Sequence, residues 1–287
     1  MQDAEIGVIG GSGLYEMRGL QIREQIEVET PFGQPSSRLA LGELDGRSVV
    51  FLARHGLGHI IPPSEINYRA NIYALKQLGV RRVISVSACG SLREDFAPGD
   101  IVVPDQIYDN TRKRQTSFFG RGMVAHVSVA DPFCPQLSSL IAESIAAEDG
   151  TVHRGGAFVT IEGPRFSTRA ESNTYRAWGM SIVGMTTSTE AFLAREAELC
   201  YAVIAHVTDY DVWRTSEEPV NVDMVMDTVE ANTELAQRAI RRAVAQMPEE
   251  RHCACGSALR NALTTSPNHI PEDVRERLSL LVDRYLS

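Results

Sequence analysis

Two textures alternate along the 287-residue chain. Short, nearly continuous apolar runs occupy 5–9, 48–53, 82–86, 100–103, 156–160, 181–183 and 200–207. Runs of that length are strand-sized, and their lack of a polar face predicts burial on both sides. Between them lie longer stretches with apolar residues at helical spacing: 66–78, 135–147, 169–178, 189–198 and 223–247. Gly79 stands where the first of these should stop. Strands alternating with helices predict an α/β fold. The expected architecture is a single domain with a central mixed, largely parallel twisted sheet flanked by helices.

The pattern weakens after residue 247. Residues 248–268 are rich in Cys, Ser, Thr and Asn and read as a linker or exposed surface segment. Beyond them, Val274, Leu278, Leu281 and Leu286 give the spacing of a short amphipathic helix. A catalytic domain over 1–250 and a C-terminal extension over 251–287 are therefore expected. The chain carries no internal repeat.

Composition narrows the function classes. A net charge of -9 argues against duplex nucleic acid or an anionic membrane as the main partner. It leaves open an anionic small substrate. Uncharged stretches fall short of a membrane span, and residues 1–5 lack the basic region of a signal peptide. A cytoplasmic location is expected. The five cysteines are Cys89, Cys134, Cys200, Cys253 and Cys255. Their odd number and wide spread do not suit a secreted disulfide framework. Cys253 and Cys255 could open a zinc site, but only His252 stands near them in sequence, so no metal site is read. The reading adopted is surface cysteines without a role.

Candidate chemistry clusters just after the predicted strands. In open α/β sheets that is where ligands sit. Thr208, Asp209, Tyr210 and Asp211 follow the run 200–207. Acids two residues apart at a strand end should point the same way, although an Asp there could equally cap the next helix. Gly10, Gly11, Ser12 and Gly13 follow the first strand. They fit neither a dinucleotide fingerprint nor a Walker loop, which leaves a phosphate-sized nest or a plain turn. Arg54 and His55 follow the second run, with His59 four residues on. Arg offers a planar fork for phosphate, and His55 is expected to donate to the same anion. The small residues Ser87, Ala88, Cys89, Gly90 and Ser91 allow close backbone approach. Cys89 lacks a positioned base and reads as a small hydrophobe. Phe166 could stack on a flat ring, with Glu162 and Arg165 paired beside it. Together these suggest an anion site next to a flat-ring site.

At this point the chain resembles the trimeric purine nucleoside phosphorylase superfamily, and within it the members that act on methylthioadenosine. The motifs that carry the resemblance are 9–14 (IGGSGL), 30–33 (TPFG), 53–56 (ARHG), 67–72 (NYRANI), 88–92 (ACGSL), 98–100 (PGD), 131–134 (DPFC), 160–166 (TIEGPRF), 169–172 (RAES), 184–187 (GMTT) and 208–211 (TDYD). They stand in family order. The resemblance implies a phosphorylase/hydrolase-like fold and phosphate held by Ser12, Arg54, His55, Ser87, Ala88 and Thr186. It implies that Met185 packs on the ribose, that Phe166 and Ser167 line the base pocket, and that Thr208, Asp209 and Asp211 bind the purine. Val222 and Val225 would line the pocket for the 5′ group, closed by His126 of a neighbouring copy in a homotrimer, or a hexamer of paired trimers. It implies no cofactor, inorganic phosphate being a co-substrate, and no metal. Family members often have Val-Pro where this chain has Ser188 and Thr189. The Cys253–Cys255 element resembles a variant found in prokaryotic members, archaeal ones with disulfides included, that is linked with use of adenosine.

The implied reaction is phosphorolysis of an N-glycosidic bond in methionine and purine salvage, with Asp209 as general acid. The rival is a 6-oxopurine or methylthioinosine phosphorylase on the same scaffold. An ionised Asp211 would accept from a 6-amino group and repel a 6-oxo group.

Overall fold

The computed structural model describes residues 4–10, 17, 19–215 and 220–286, with the side chains of Met224 and Ala231 set aside. In chain order the strands are β1 (Ile6–Gly10), β2 (Leu20–Ile26), β3 (Leu39–Leu44), β4 (Arg47–Ala53), β5 (Arg82–Ser91), β6 (Ile101–Val103), β7 (Gln106–Asn110), β8 (Val152–Arg154), β9 (Ala157–Ile161), β10 (Ile182–Gly184) and β11 (Cys200–Asp209). The helices are α1 (Tyr68–Gln77), α2 (Pro135–Ala146), α3 (Arg169–Ala177), α4 (Thr187–Glu196), α5 (Val222–Gln246) and α6 (Glu272–Leu286).

These strands form one sheet along the path β2-β3-β4-β1-β5-β10-β9-β7, with β11, β6 and β8 branching from β5. Six of its ten strand pairings are parallel, so the sheet is mixed and mostly parallel, as the alternating pattern predicts. The hub is β5. Its first half lies parallel to β1, nearly its whole length runs parallel to β11, and its last residues pair antiparallel with β10. One strand thus brings the ends of several others to one place.

Strand alternation divides the interior into two cores. From β11, Tyr201, Val203, Ala205 and Val207 face one core, where Leu75 of α1, Leu193 of α4 and Leu278 of α6 pack. Cys200, Ala202 and Ile204 face the other, against Leu137 and Ile141 of α2 and Ala239 and Ile240 of α5. The sheet is therefore the middle layer of three. Burial on both faces explains why β11 reads as an unbroken apolar run. Each such Ile or Val contributes roughly 1.5–3 kcal/mol.

Helix ends follow their local signals. Leu78 ends α1, and Gly79 beyond it takes φ 85°, the left-handed conformation that stops a helix. Thr168 opens α3 with a reciprocal capping box to Glu171. Among the described residues no helix is long and apolar enough to cross a membrane.

Two readings of the sequence are corrected. Residues 248–268 are not an exposed linker. Cys255, Leu259 and Ala262 are buried, Leu263 bridges to Ala125, and α6 lays Val274, Leu278, Leu281 and Val282 on the first core. Apolar residues spaced three to four apart within a polar segment bury one side of it. Nor are the cysteines at the surface. Cys89, Cys134, Cys200 and Cys255 are buried and Cys253 is half-buried.

Candidate active site

A cavity of about 270 Å³ opens where β4, β5, β10 and β11 end or bend, with α5 across it. It is lined by Arg54, His55, Ser87, Ala88, Met185, Thr186, Thr208 and Val225 from the sequence expectation. It is also lined by His59, Pro63, His206, Met226, Val229 and Thr233.

At one side stands Arg54, which follows β4 directly. Its backbone N–H donates to Gly10 O at 3.1 Å, joining the ends of β4 and β1. Its guanidinium is buried against Glu190 of α4, with Nε to Oε1 at 2.5 Å and Nη2 to Oε2 at 3.0 Å. Nη2 also donates to the Ser85 hydroxyl and Nη1 to Val86 O. Tyr201 Oη and Ser85 Oγ both donate to Glu190 Oε2. Glu190 thus neutralises a charge that water cannot reach. Four of the five guanidinium hydrogens are spent on the protein, leaving one on Nη1 for a ligand. Nothing in the sequence pattern singles out Glu190, because its partner lies 136 positions away.

His55 departs from expectation. Its Nδ1 sits 2.8 Å from Ile61 O, and a carbonyl only accepts, so Nδ1 carries the proton. Burial, with the Arg54 charge adding to it, lowers its pKa to about 4. The ring is therefore neutral near pH 7, and Nε2 is an acceptor. It can receive the O–H of a protonated phosphate rather than donate to the anion. His59 stacks on it with ring centroids 4.2 Å apart.

Thr186 precedes α4, so the helix N-terminus faces the cavity, a favourable place for an anion. The Thr186 hydroxyl is buried without a hydrogen-bond partner among the described residues. Ser188, at the departure from the family pattern, anchors this turn. Its backbone N–H donates to Thr160 Oγ1 and its hydroxyl to Asp109. Ser12 lies outside the described residues.

At the other side β11 ends in Thr208 and Asp209. Asp209 Oδ1 accepts the Asp211 backbone N–H, and Oδ2 accepts the Thr208 hydroxyl, both at 2.7 Å. Both acids are buried, at 5% and 7% exposure. Their convergence does not come from strand alternation. The chain turns after Asp209, with Asp211 at φ 50°, and the Asp209 side chain closes the turn. Gly90 lines the cavity in front of them: a Cβ there would stand 2.9 Å from Asp209 Oδ1 and 3.2 Å from Asp211 Cβ. Burial raises both carboxyl pKa values. Thr208 and the Asp211 N–H pull Asp209 back, and Ser172 and Ser167 pull Asp211 back. Ser167 and Ser172 hydroxyls thus face Asp211, whose Oδ2 makes no close hydrogen bond among the described residues.

Other expected residues lie apart from the cavity of the single chain. Phe166 is half-buried outside its lining. Val222 is 64% exposed at the first residue of α5, a turn beyond the mouth, while Val225, Met226 and Val229 face inward. His126 is exposed, its backbone N–H bonded to Ala262 O. Glu162 and Arg165 do not pair with each other: Glu162 binds Arg114, and Arg165 binds Glu171. Burial raises the pKa of the Cys89 thiol, which fits a hydrophobe rather than a nucleophile.

Comparison with known proteins supplies the context. The phosphorylase superfamily profile matches residues 5–245. The S-methyl-5′-thioadenosine phosphorylase of Geobacter sulfurreducens is 54% identical over 282 residues, covering 98% of this chain and 99% of that protein. A crystal structure of a methylthioadenosine phosphorylase from an antarctic soil metagenomic library superposes with a TM-score of 0.94. It is 46% identical and covers 98% of this chain and 100% of its own. Methylthioadenosine phosphorylase from Schistosoma mansoni, in complex with adenine, gives a TM-score of 0.81 at 36% identity, covering 98% of each chain.

Proposed function

The chain belongs to the phosphorylase superfamily, and we propose that it catalyses phosphorolysis of S-methyl-5′-thioadenosine to adenine and 5-methylthioribose 1-phosphate. The observation that carries this reading is one cavity with two unlike groups at its two sides, the acids standing just behind its Gly90 wall. Arg54, Ser87, Thr186 and the α4 N-terminus offer donors and positive potential on one side. Thr208, with Asp209 and Asp211 behind Gly90, offers buried carboxyls on the other. The sugar belongs between them, against Met185.

Phosphate attacks C1′ as the bond from C1′ to the purine N9 breaks. Positive charge develops on the sugar, and the phosphate stabilises it. The electron pair of the broken bond passes to the purine, a poor leaving group unless N7 is protonated. Asp209 supplies that proton. An ordinary Asp titrates near 4, and burial raises Asp209 from there, the direction a proton donor needs. Asp211 accepts from the 6-amino group, with Ser167 beside it. Phosphate is the co-substrate, and the scheme uses no cofactor.

The reaction is a pentosyl transfer in the salvage of methionine and purines, and we assign it to the cytoplasm. Adenosine fits the same donors with a weaker 5′ contact. In this reading three copies assemble. The exposed His126, flanked by the exposed Val124 and Val129, closes the 5′ pocket of a neighbour beside Val222 and Val225. Phe166 completes the base pocket and Ser12 the phosphate cradle.

A substrate panel tests the reading. Methylthioadenosine should be cleaved fastest, adenosine more slowly, and methylthioinosine and inosine weakly. Preference for the two 6-oxo compounds would overturn the role given to Asp211.

A further inference from the structure

Four of the five cysteines meet at one point, around Cys200 at the end of β11 opposite to Thr208. The Sγ atoms of Cys134, Cys200, Cys253 and Cys255 all lie within 4.8 Å of one another. They come from three places. Cys134 caps the N-terminus of α2, Cys200 begins β11, and Cys253 and Cys255 flank the start of a short 3-10 turn, Ala254–Ser257. Cys200 Sγ and Cys253 Sγ lie 3.3 Å apart.

We propose that these four thiolates bind one zinc ion, in a structural site that fastens the C-terminal segment to the sheet. Tetrahedral zinc holds thiolates at about 2.3 Å, which puts its sulfurs about 3.8 Å apart. The observed cluster needs only sub-ångström to ångström adjustments to reach that. Four sulfurs with no oxygen or nitrogen ligand among them is a donor set that selects zinc over magnesium or calcium. The set is complete within the chain and closed, as a structural rather than catalytic site requires.

The surroundings suit an anionic centre. Four thiolates and one dication leave a net charge of about -2. Arg195 Nη1 stands 3.6 Å from Cys255 Sγ. Arg82 begins β5 opposite Cys200; its buried Nη1 stands 3.7 Å from Glu5 Oε2 and makes no hydrogen bond among the described residues. A cavity of about 360 Å³, lined by Cys134, Cys200, Arg82, Arg251 and His252, gives the ion access from solvent. Cys134 sits at the positive end of a 12-residue helix, a place that suits a centre of negative charge. The pairing that no sequence spacing reveals is thus made by the fold: the C-x-C element finds its second pair 53 and more residues upstream.

The test is elemental analysis of the full chain purified with a phosphine reductant. One zinc per chain is expected. Replacing Cys253 and Cys255 by Ser should lower the zinc content about tenfold or more, while Cys89→Ser leaves it unchanged. Because the double variant could fail to fold, the wild-type chain loaded with cobalt gives a second readout. Its absorption should show a tetrahedral centre with thiolate-to-cobalt bands. A zinc-free chain that takes up none on titration overturns the proposal. So does a zinc-free chain lighter by four hydrogens, which marks two disulfides, or a zinc content indifferent to the double substitution.

Discussion

Asp209 Oδ1 accepts the backbone N–H of Asp211 at 2.7 Å, so the first acid of the pair sets the position of the second. The turn they share is held in a buried wall, and burial raises the pKa of both. Asp209→Asn keeps the acceptor for that N–H and removes the acid. It should slow methylthioadenosine turnover by about a hundredfold or more, with phosphate affinity kept. Steady-state kinetics and phosphate titration check this. Activity within about threefold of wild type would remove Asp209 from the mechanism.

Gly90 is the test of geometry without a change in charge. In Gly90→Ala the new methyl meets Asp209 Oδ1 at 2.9 Å and Asp211 Cβ at 3.2 Å. Overpacking of this kind costs about 1–3 kcal/mol of stability. The displaced acids should lower kcat for methylthioadenosine by about tenfold or more. An unfolding curve and a kcat measured together separate the two effects. Unchanged kcat would mean that the wall tolerates motion of the acids.

Glu190 holds Arg54 electrically. Glu190→Ala leaves a guanidinium buried at 2% exposure without its counterion. Removing one partner of a buried pair costs about 3–5 kcal/mol. Urea unfolding should show a loss of that size, and the KM for phosphate should rise as Arg54 loosens. A loss under about 1 kcal/mol would show that water reaches the pair.

The structure also shows why part of this was legible beforehand. Strands β1, β4, β5, β6, β9, β10 and β11 announce themselves because they are buried and apolar. Strand β2 does not, because five consecutive residues, Gln21 to Gln25, are exposed at the sheet edge. The three residues of β8 are too short for any periodicity. The residues that follow strands, Arg54 and Thr208 among them, were legible through position. Glu190 and the cysteine cluster were not, since each depends on partners that only the folded chain brings near. The protonation of His55 was likewise out of reach, because it is fixed by a carbonyl six residues on.

His206 provides a pH signature. It is buried beside the cavity, and burial lowers its pKa from 6.5 to about 4. Between those values the unfolded chain takes up a proton that the folded chain refuses. The folded state therefore loses stability as pH falls from 6.5 towards 4 and keeps it above 6.5. His206→Gln removes this titration. Relative to that variant, the wild type should lose about 2–3 kcal/mol between pH 7.5 and 4.5. Urea unfolding of both proteins at the two pH values measures it, and a constant gap would show that the imidazole is charged or solvated in the fold.

The most direct measurement is release of adenine from S-methyl-5′-thioadenosine with and without inorganic phosphate, with the sugar product identified. The account predicts equal amounts of adenine and 5-methylthioribose 1-phosphate, formed only when phosphate is present. Adenine released at the same rate without phosphate, with free 5-methylthioribose beside it, would contradict it, because water and not the anion held by Arg54 and Thr186 would then be the nucleophile.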